Sequence, residues 1–216
     1  VQTVREIQEA EPDVILSTIN GITNQYFFRE LAAQGISAEQ LPVLSTSMGE
    51  DELRGMAREE VQGHLSSWHY FQSIDTPRNR RFIRRFQNEH GEDHVLSDPM
   101  ESAYSQVYLW KHAAEKAGSF EVDAIRDAFS STVEFLAPGG KLVVDPKTFH
   151  TYKSCRIGRV GDDNQFDIIY ESPSVIPPNP YPTAAFPGWH CDWTREGLTQ
   201  GERIQITRPS PYAQRA

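Results

Sequence analysis

Apolar residues come in short bursts over the first third of the chain, and each burst leads into a run with helical spacing. Val14, Ile15 and Leu16 run into Ser17-Thr18-Ile19 and stop at Asn20-Gly21. This β-branched stretch at residues 13–19 predicts a strand. Phe27, Phe28 and Leu31 then share one helical face, with Gly35 as the stop. Residues 41–46 repeat the scheme. Ser47-Met48-Gly49-Glu50 has the S-x-x-E form of a capping box, ahead of a short helix through Leu53 and Met56. Residues 61–71, with the aromatic run Trp68-His69-Tyr70-Phe71, form the third strand candidate. Thr76-Pro77 reads as an N-cap followed by a residue whose fixed φ suits the first helical position. Phe82, Ile83 and Phe86 face inward on the helix that follows. Three strand–helix units in a row predict an α/β fold, a parallel sheet with flanking helices joined by right-handed crossovers.

The pattern changes after residue 97. Asp98-Pro99-Met100-Glu101 is another capped start, and Met100, Ala103, Tyr104, Val107, Trp110 and Ala114 make a helical stripe. Gly118 ends that helix, and residues 122–129 make a short one. From Val133 onward the chain reads as antiparallel hairpins. Residues 133–135 and 142–144 flank Ala137-Pro138-Gly139-Gly140, and residues 152–160 and 166–170 flank Gly161-Asp162-Asp163-Asn164. Repeated prolines from Pro173 to Pro187 predict an extended tail over residues 173–216, with its last fifteen residues disordered.

Composition narrows the partners. The 216 residues carry a formal charge of −9. Nucleic acid and anionic membrane surfaces both reward clustered positive charge, so neither is expected as a partner. No apolar run approaches the ~18 residues of a membrane span, so no direct membrane insertion is expected. Arg78, Arg80, Arg81, Arg84 and Arg85 alternate with apolar positions and read as a solvated helix face. Cys155 and Cys191 lie in no Cys-x-x-Cys pattern and read as two unrelated thiols.

Candidate chemistry is sparse. His90-Gly91-Glu92-Asp93-His94 spaces two histidines by four, but Gly91 sits where the preceding helix should stop, and no metal site is predicted. His190-Cys191-Asp192 is equally weak. There is no G-x-S-x-G elbow and no G-x-G-x-x-G, and Gly139-Gly140-Lys141 lacks the spacing of a phosphate loop. No cofactor and no catalytic residue are predicted. The strand ends say more, because ligands of an open parallel sheet sit beyond the carboxyl ends of its strands. Those ends are Ser17-Thr18-Ile19-Asn20-Gly21 and Ser45-Thr46-Ser47, rich in small hydroxyls, with free N–H groups at the following helix starts. Such a rim suits a small, polar, uncharged ligand. Helix capping explains Ser47 fully, and it explains Asn20 about as well as ligand binding does. Tyr104, one turn into its helix, fits an aromatic wall or the core.

Five strings, in order, resemble the urea and short-chain amide binding proteins, which are type I periplasmic binding proteins close to the leucine-, isoleucine- and valine-binding group. They are Pro12-Asp13-Val14-Ile15-Leu16-Ser17-Thr18-Ile19-Asn20-Gly21, Ser73-Ile74-Asp75-Thr76-Pro77, Ser97-Asp98-Pro99-Met100-Glu101-Ser102-Ala103-Tyr104, Arg156-Ile157-Gly158-Arg159-Val160 and Pro178-Asn179-Pro180-Tyr181-Pro182. The resemblance implies a two-lobed α/β clamp with its ligand between the lobes. Residues 1–75 would be most of the second lobe, 76–150 the returning part of the first, and 151–172 a hairpin back to the second. It further implies that only the later part of such a protein is present; a signal peptide in the missing N-terminal part would favour a transport protein, and its absence there a cytoplasmic one. The ligand-facing positions it carries over are Thr18, Ile19, Asn20, Gly21, Thr46, Ser47 and Tyr104.

The function implied is a periplasmic, non-enzymatic solute-binding protein that delivers urea or a short amide to an ABC transporter permease. The alternative is a cytoplasmic amide sensor of the same fold, controlling amidase or nitrile-metabolism genes through a regulatory partner. A lone second lobe would expose apolar surface, so association into a homo-oligomer is also expected.

Overall fold

The computed structural model describes residues 2–180. The expected disorder of the last fifteen residues, His190-Cys191-Asp192 and most of the proline-rich tail fall outside them. In chain order the helices are α1 (Gln2–Ala10), α2 (Thr23–Ala33), α3 (Glu50–Leu53), α4 (Arg58–Val61), α5 (Pro77–His90), α6 (Asp98–Ala117) and α7 (Val122–Phe129). The strands are β1 (Ile15–Ser17), β2 (Val43–Ser45), β3 (Leu65–Trp68), β4 (Glu134–Ala137), β5 (Gly140–Val144), β6 (Thr151–Tyr152), β7 (Arg156–Val160) and β8 (Phe166–Glu171).

The expected α/β fold is present. β1, β2 and β3 pair in parallel, Ile15 with Val43 and Leu44 with Leu65, and β7 and β8 extend the sheet antiparallel in the order β1-β2-β3-β7-β8. A core of Phe27, Phe28, Leu31, Val43, Leu53 and Phe71 fills the space between this sheet and α1–α4. Gly158 is required there, because a Cβ on it would come to 2.9 Å from Phe166 Cβ and 3.0 Å from the Phe71 ring. The second sheet, β4-β5-β6, is antiparallel and packs on α6 and α7 through Leu109, Ala113, Ile125, Val133 and Leu142. α5 starts as expected, with the Thr76 hydroxyl accepting from Asn79 N at 3.1 Å. Its inward residues Phe82, Ile83 and Phe86 pack on Tyr70, Ile74 and Leu96.

Four local expectations are corrected. The third strand covers only Leu65–Trp68, since Val61 closes α4 and Gly63 turns the chain at φ +85°. The helix starts two residues later than the capping-box spacing predicts, with only the acidic half of such a box. Gly49 is the N-cap of α3, and its N–H donates to the Glu52 carboxylate at 2.8 Å. Ser47 and Glu50 do not cap because both are drawn into contacts across the sheet, described below. On α6 the buried face is Asp98, Glu101, Ser105, Leu109 and Ala113, so Val107 and Trp110 of the expected stripe lie exposed. The small Ala113 lets this face approach the second sheet, while Trp110 stacks on Phe120 instead. Finally, residues 152–160 are not one strand. β6 pairs with β5 in the small sheet, and residues 153–155 carry the chain across to β7 in the large one.

Candidate functional site

The carboxyl ends of β1, β2 and β3 form one continuous row, and the loops beyond them interlock. Thr46 donates from N at 3.0 Å and from Oγ1 at 3.3 Å to Ser17 O. The Ser47 hydroxyl donates to Ile19 O. Asn24, fully buried on α2, donates from Nδ2 to Ser47 O at 3.2 Å, and its Oδ1 has no partner among the described residues. The structure thus brings Thr18, Ile19, Asn20 and Gly21 together with Thr46 and Ser47. Ser17 and Ser47 are buried and engaged with backbone, while Thr18, Asn20, Gly21 and Thr46 are exposed on the rim. Gly21 sits at φ +61°, which turns the chain into α2.

The third strand end adds residues that the sequence reading missed. Trp68 donates from Nε1 to Met48 O at 2.9 Å, tying this end to the Ser47 loop. Beyond it, His69 N and Tyr70 N both donate to Asp98 Oδ2, at 3.1 and 2.9 Å. Asp98 is therefore the acceptor for an unpaired strand end as well as the first residue of α6. A cavity of about 400 Å³ lies here, lined by Trp68, His69, Asp98, Lys153, Cys155 and Pro177 among others. Lys153 Nζ donates to Ser102 Oγ at 2.7 Å, and Ser67 adds a hydroxyl to the cavity wall. The aromatic run at 68–71 was the one available signal for this region. Asp98 was read only as part of a capped helix start and nothing local marked Lys153; the two meet only when the crossover strand returns.

Electrostatically the row is muted. Burial pushes the Glu50 carboxyl up to about 8, against a partial offset from the Gln72 N–H that it accepts at 2.5 Å, so it is uncharged at neutral pH. Burial lowers His69 to about 4, helped by the neighbouring Lys153 ammonium. The neutral ring faces Ser154 O with Nδ1 at 3.2 Å, and because a carbonyl only accepts, Nδ1 carries the proton. Burial also raises Asp98 and Glu101, opposed by the Lys153 charge on Asp98 and by the Gly139 N–H on Glu101.

Tyr104 lies apart from the rim. Its ring packs against Phe82 at 4.6 Å and Tyr108 at 4.7 Å, with Phe135 at 6.4 Å. The cause is the rotation of α6 noted above. Among the described residues no cluster of histidine, cysteine or acidic side chains is arranged to hold a metal, and His90 and His94 lie against Phe86. No helix among them is long and apolar enough to cross a membrane.

The architecture is thus an open α/β sheet whose strand ends carry a polar rim, joined by crossing segments to a second, antiparallel sheet. The chain belongs to the periplasmic binding protein domain family, whose sequence profile matches residues 1–186. Its fold is shared with a solute binding protein of an ABC transporter from Rhodopseudomonas palustris BisB5, solved with 3,4-dihydroxybenzoic acid. That match has a TM-score of 0.71 at 18% identity, over 81% of this chain and 49% of the other. A leucine binding protein from Thermotoga maritima superposes with a TM-score of 0.65 at 19% identity, over 79% and 47%. Among curated proteins, a Leu/Ile/Val-binding protein homolog of Brucella abortus is 26% identical over 110 residues, half of this chain and 28% of its own. A protein named limonene hydroxylase, from Geobacillus stearothermophilus, is 31% identical over 128 residues, which are 59% of this chain and 23% of that protein. The chain thus spans about half the length of the solved relatives and about a quarter of the curated ones.

Proposed function

We propose that this chain is the ligand-closing part of a non-enzymatic solute-binding protein that serves an ABC transporter permease from the periplasm, and that its solute is a small neutral amide such as urea or acetamide. The observation that carries the ligand class is the absence of a charged side chain among residues 15–23 and 43–49, where the first two strands end. The nearest carboxyl, Glu50, is buried and uncharged at neutral pH. An amide carbonyl accepts from the Thr18 hydroxyl and helix-start N–H groups, and an amide NH₂ donates to the Asn20 side-chain oxygen and to Thr46 Oγ1, whose own proton is held by Ser17 O. A free amino acid brings two charges that this rim does not pair, and burying them unpaired costs several kcal/mol. Relatives of the same fold named for leucine and solved with a dihydroxybenzoate define the competing ligand classes.

The lobe assignment is part of the proposal. Residues 1–75 and 153–172 form the second lobe and 76–152 the returning part of the first, two residues longer than expected because β6 pairs with β5. Support comes from the strand pairing: residues 15–68 and 156–171 build one sheet, and 134–152 the other. Tyr104 is left out of the proposed contacts because of its place beside Phe82.

Thermal shifts with Asn20→Ala and Thr46→Val test the rim. Each is expected to weaken amide binding by about tenfold, the loss of one neutral hydrogen bond. Unchanged binding in both variants overturns the assignment. Recovery of intact acetamide after prolonged incubation is expected as well, and its hydrolysis would overturn the non-enzymatic reading.

A further inference from the structure

The arginines of α5 form a surface that the solute reading does not use. Arg78, Arg81 and Arg85 lie at i, i+3 and i+7, so they share one helix face over about 10 Å. All three are exposed, and none forms an ion pair with a carboxylate of the described residues, although Arg80 one position away pairs with Asp75. They do not face open water alone. Two adjoining hollows of about 130 and 320 Å³ run between this face and the β4–β5 hairpin, sharing Arg78, Arg81 and Pro138. The smaller is walled by the rings of Phe82, Tyr104 and Phe135. The larger is bordered by the exposed Leu136 and reaches Arg156.

Arg156 supplies an observation independent of the helix. Its side chain is nearly completely buried, Nη2 donates to the Glu171 carboxylate at 2.6 Å and Nη1 to His69 O, and Nε has no partner among the described residues. The groove therefore runs from three unpaired guanidiniums at its rim to a fourth, only partly neutralised, beneath the hairpin. In a chain of net charge −9 this concentration of positive charge is exceptional.

We propose that this groove docks an acidic, extended segment of a partner protein, with an apolar or aromatic side chain of that segment seated against Leu136 or the Phe82–Phe135 rings. Three cations spaced along about 10 Å exceed the span of a single small carboxylate and fall within the roughly 13 Å between side chains i and i+4 of an extended strand, whose central i+2 side chain lies on the same face. Arginine forks bind carboxylates bidentately, and flanking rings lower the local dielectric around each pair. Nucleic acid is the competing polyanion, able to stack bases on the same rings, and comparison with an oligothymidylate separates the two. The inference is independent of which solute the chain binds.

The test is fluorescence anisotropy of the 216-residue chain with a labelled glutamate-rich peptide carrying one central phenylalanine. The comparison ligands are the glutamine version of that peptide and a short oligothymidylate. The expected result is salt-sensitive binding about tenfold tighter than that of the glutamine version or the oligothymidylate. Binding should be lost in the combined Arg78→Gln, Arg81→Gln, Arg85→Gln variant and kept in Arg84→Gln, which lies outside both hollows. The single Arg81→Gln, common to both hollows, gives a weaker loss of about threefold and remains readable if the triple variant does not fold. No binding, binding unaffected by the arginine changes, or equal affinity for oligothymidylate would each overturn the proposal, the last in favour of a general polyanion surface.

Discussion

Individual side chains at the strand ends do two jobs, and the sequence displays only the local one. Ser47 and Glu50 have the spacing of a capping box, but Ser47 reaches back to Ile19 O and Glu50 is drawn in to the Gln72 N–H. Local spacing cannot register a partner 22 to 28 residues away. Glu50 yields a pH prediction. Its carboxyl titrates near 8 when folded against an ordinary 4.5, so the folded state holds a proton that the unfolded chain releases. Stability linked to this group is lost as pH rises from 4.5 through 8. Glu50→Gln, which keeps the acceptor for Gln72, is expected to stabilise by about 2–3 kcal/mol at pH 8 and by little at pH 5, in denaturant melts at both pH values. An equal effect at the two pH values would contradict it. His64 behaves oppositely. Burial lowers it to about 4, and its neutral Nδ1 accepts from Val43 N at 3.1 Å. Folding stability from His64 is thus lost as pH falls from 6.5 toward 4, and His64→Leu should flatten that limb of the pH–stability curve while costing about 1–3 kcal/mol near pH 7.

Elements were legible where one residue type decided them. Thr76-Pro77 fixed the start of α5, Gly35 and Gly118 the ends of α2 and α6, and the Pro138-Gly139 turn the β4–β5 register. The rotation of α6 was not legible, because its inward face near the N-terminus is polar. Asp98, Glu101 and Ser105 serve strand ends and the Gly139 N–H, so hydrophobic periodicity pointed to the wrong face. The break at 153–155 was hidden for a similar reason, since both halves are strands and only their partners differ. One buried amide joins these elements. Asn79 Nδ2 donates to Gln72 O and Ile74 O at 2.9 and 2.8 Å, and its Oδ1 accepts from the Tyr70 hydroxyl at 2.8 Å. Asn79→Ala is expected to cost about 2–4 kcal/mol, well above the ~1 kcal/mol of Thr76→Ala, because Gln72 O and the Tyr70 hydroxyl lose their partner and Ile74 O keeps only Thr76 N. Chemical denaturation of both variants gives the comparison, and equal losses would mean that the amide adds nothing beyond the cap.

At the scale of the whole molecule, the two-sheet arrangement and the rim loops at Thr18–Gly21 and Thr46-Ser47 followed from strand–helix alternation and the five resembling strings. The cavity beyond Trp68 did not, since it is assembled from three separate segments. β1 is the outer strand of its sheet, with Val14 55% and Leu16 68% exposed. An apolar edge of this kind invites strand-to-strand association. Light scattering is expected to give a mass above that of a single chain, and Leu16→Lys to return it toward the monomer; a monodisperse monomer for the unaltered chain would refute this. The central claim is that the uncharged rim selects a neutral amide. The most direct measurement is a calorimetric titration of the chain with urea, acetamide, leucine and 4-hydroxybenzoate in turn. Saturable heat with urea or acetamide, and none with the charged ligands, is the predicted result. Saturable binding of leucine or hydroxybenzoate without the amides would contradict it.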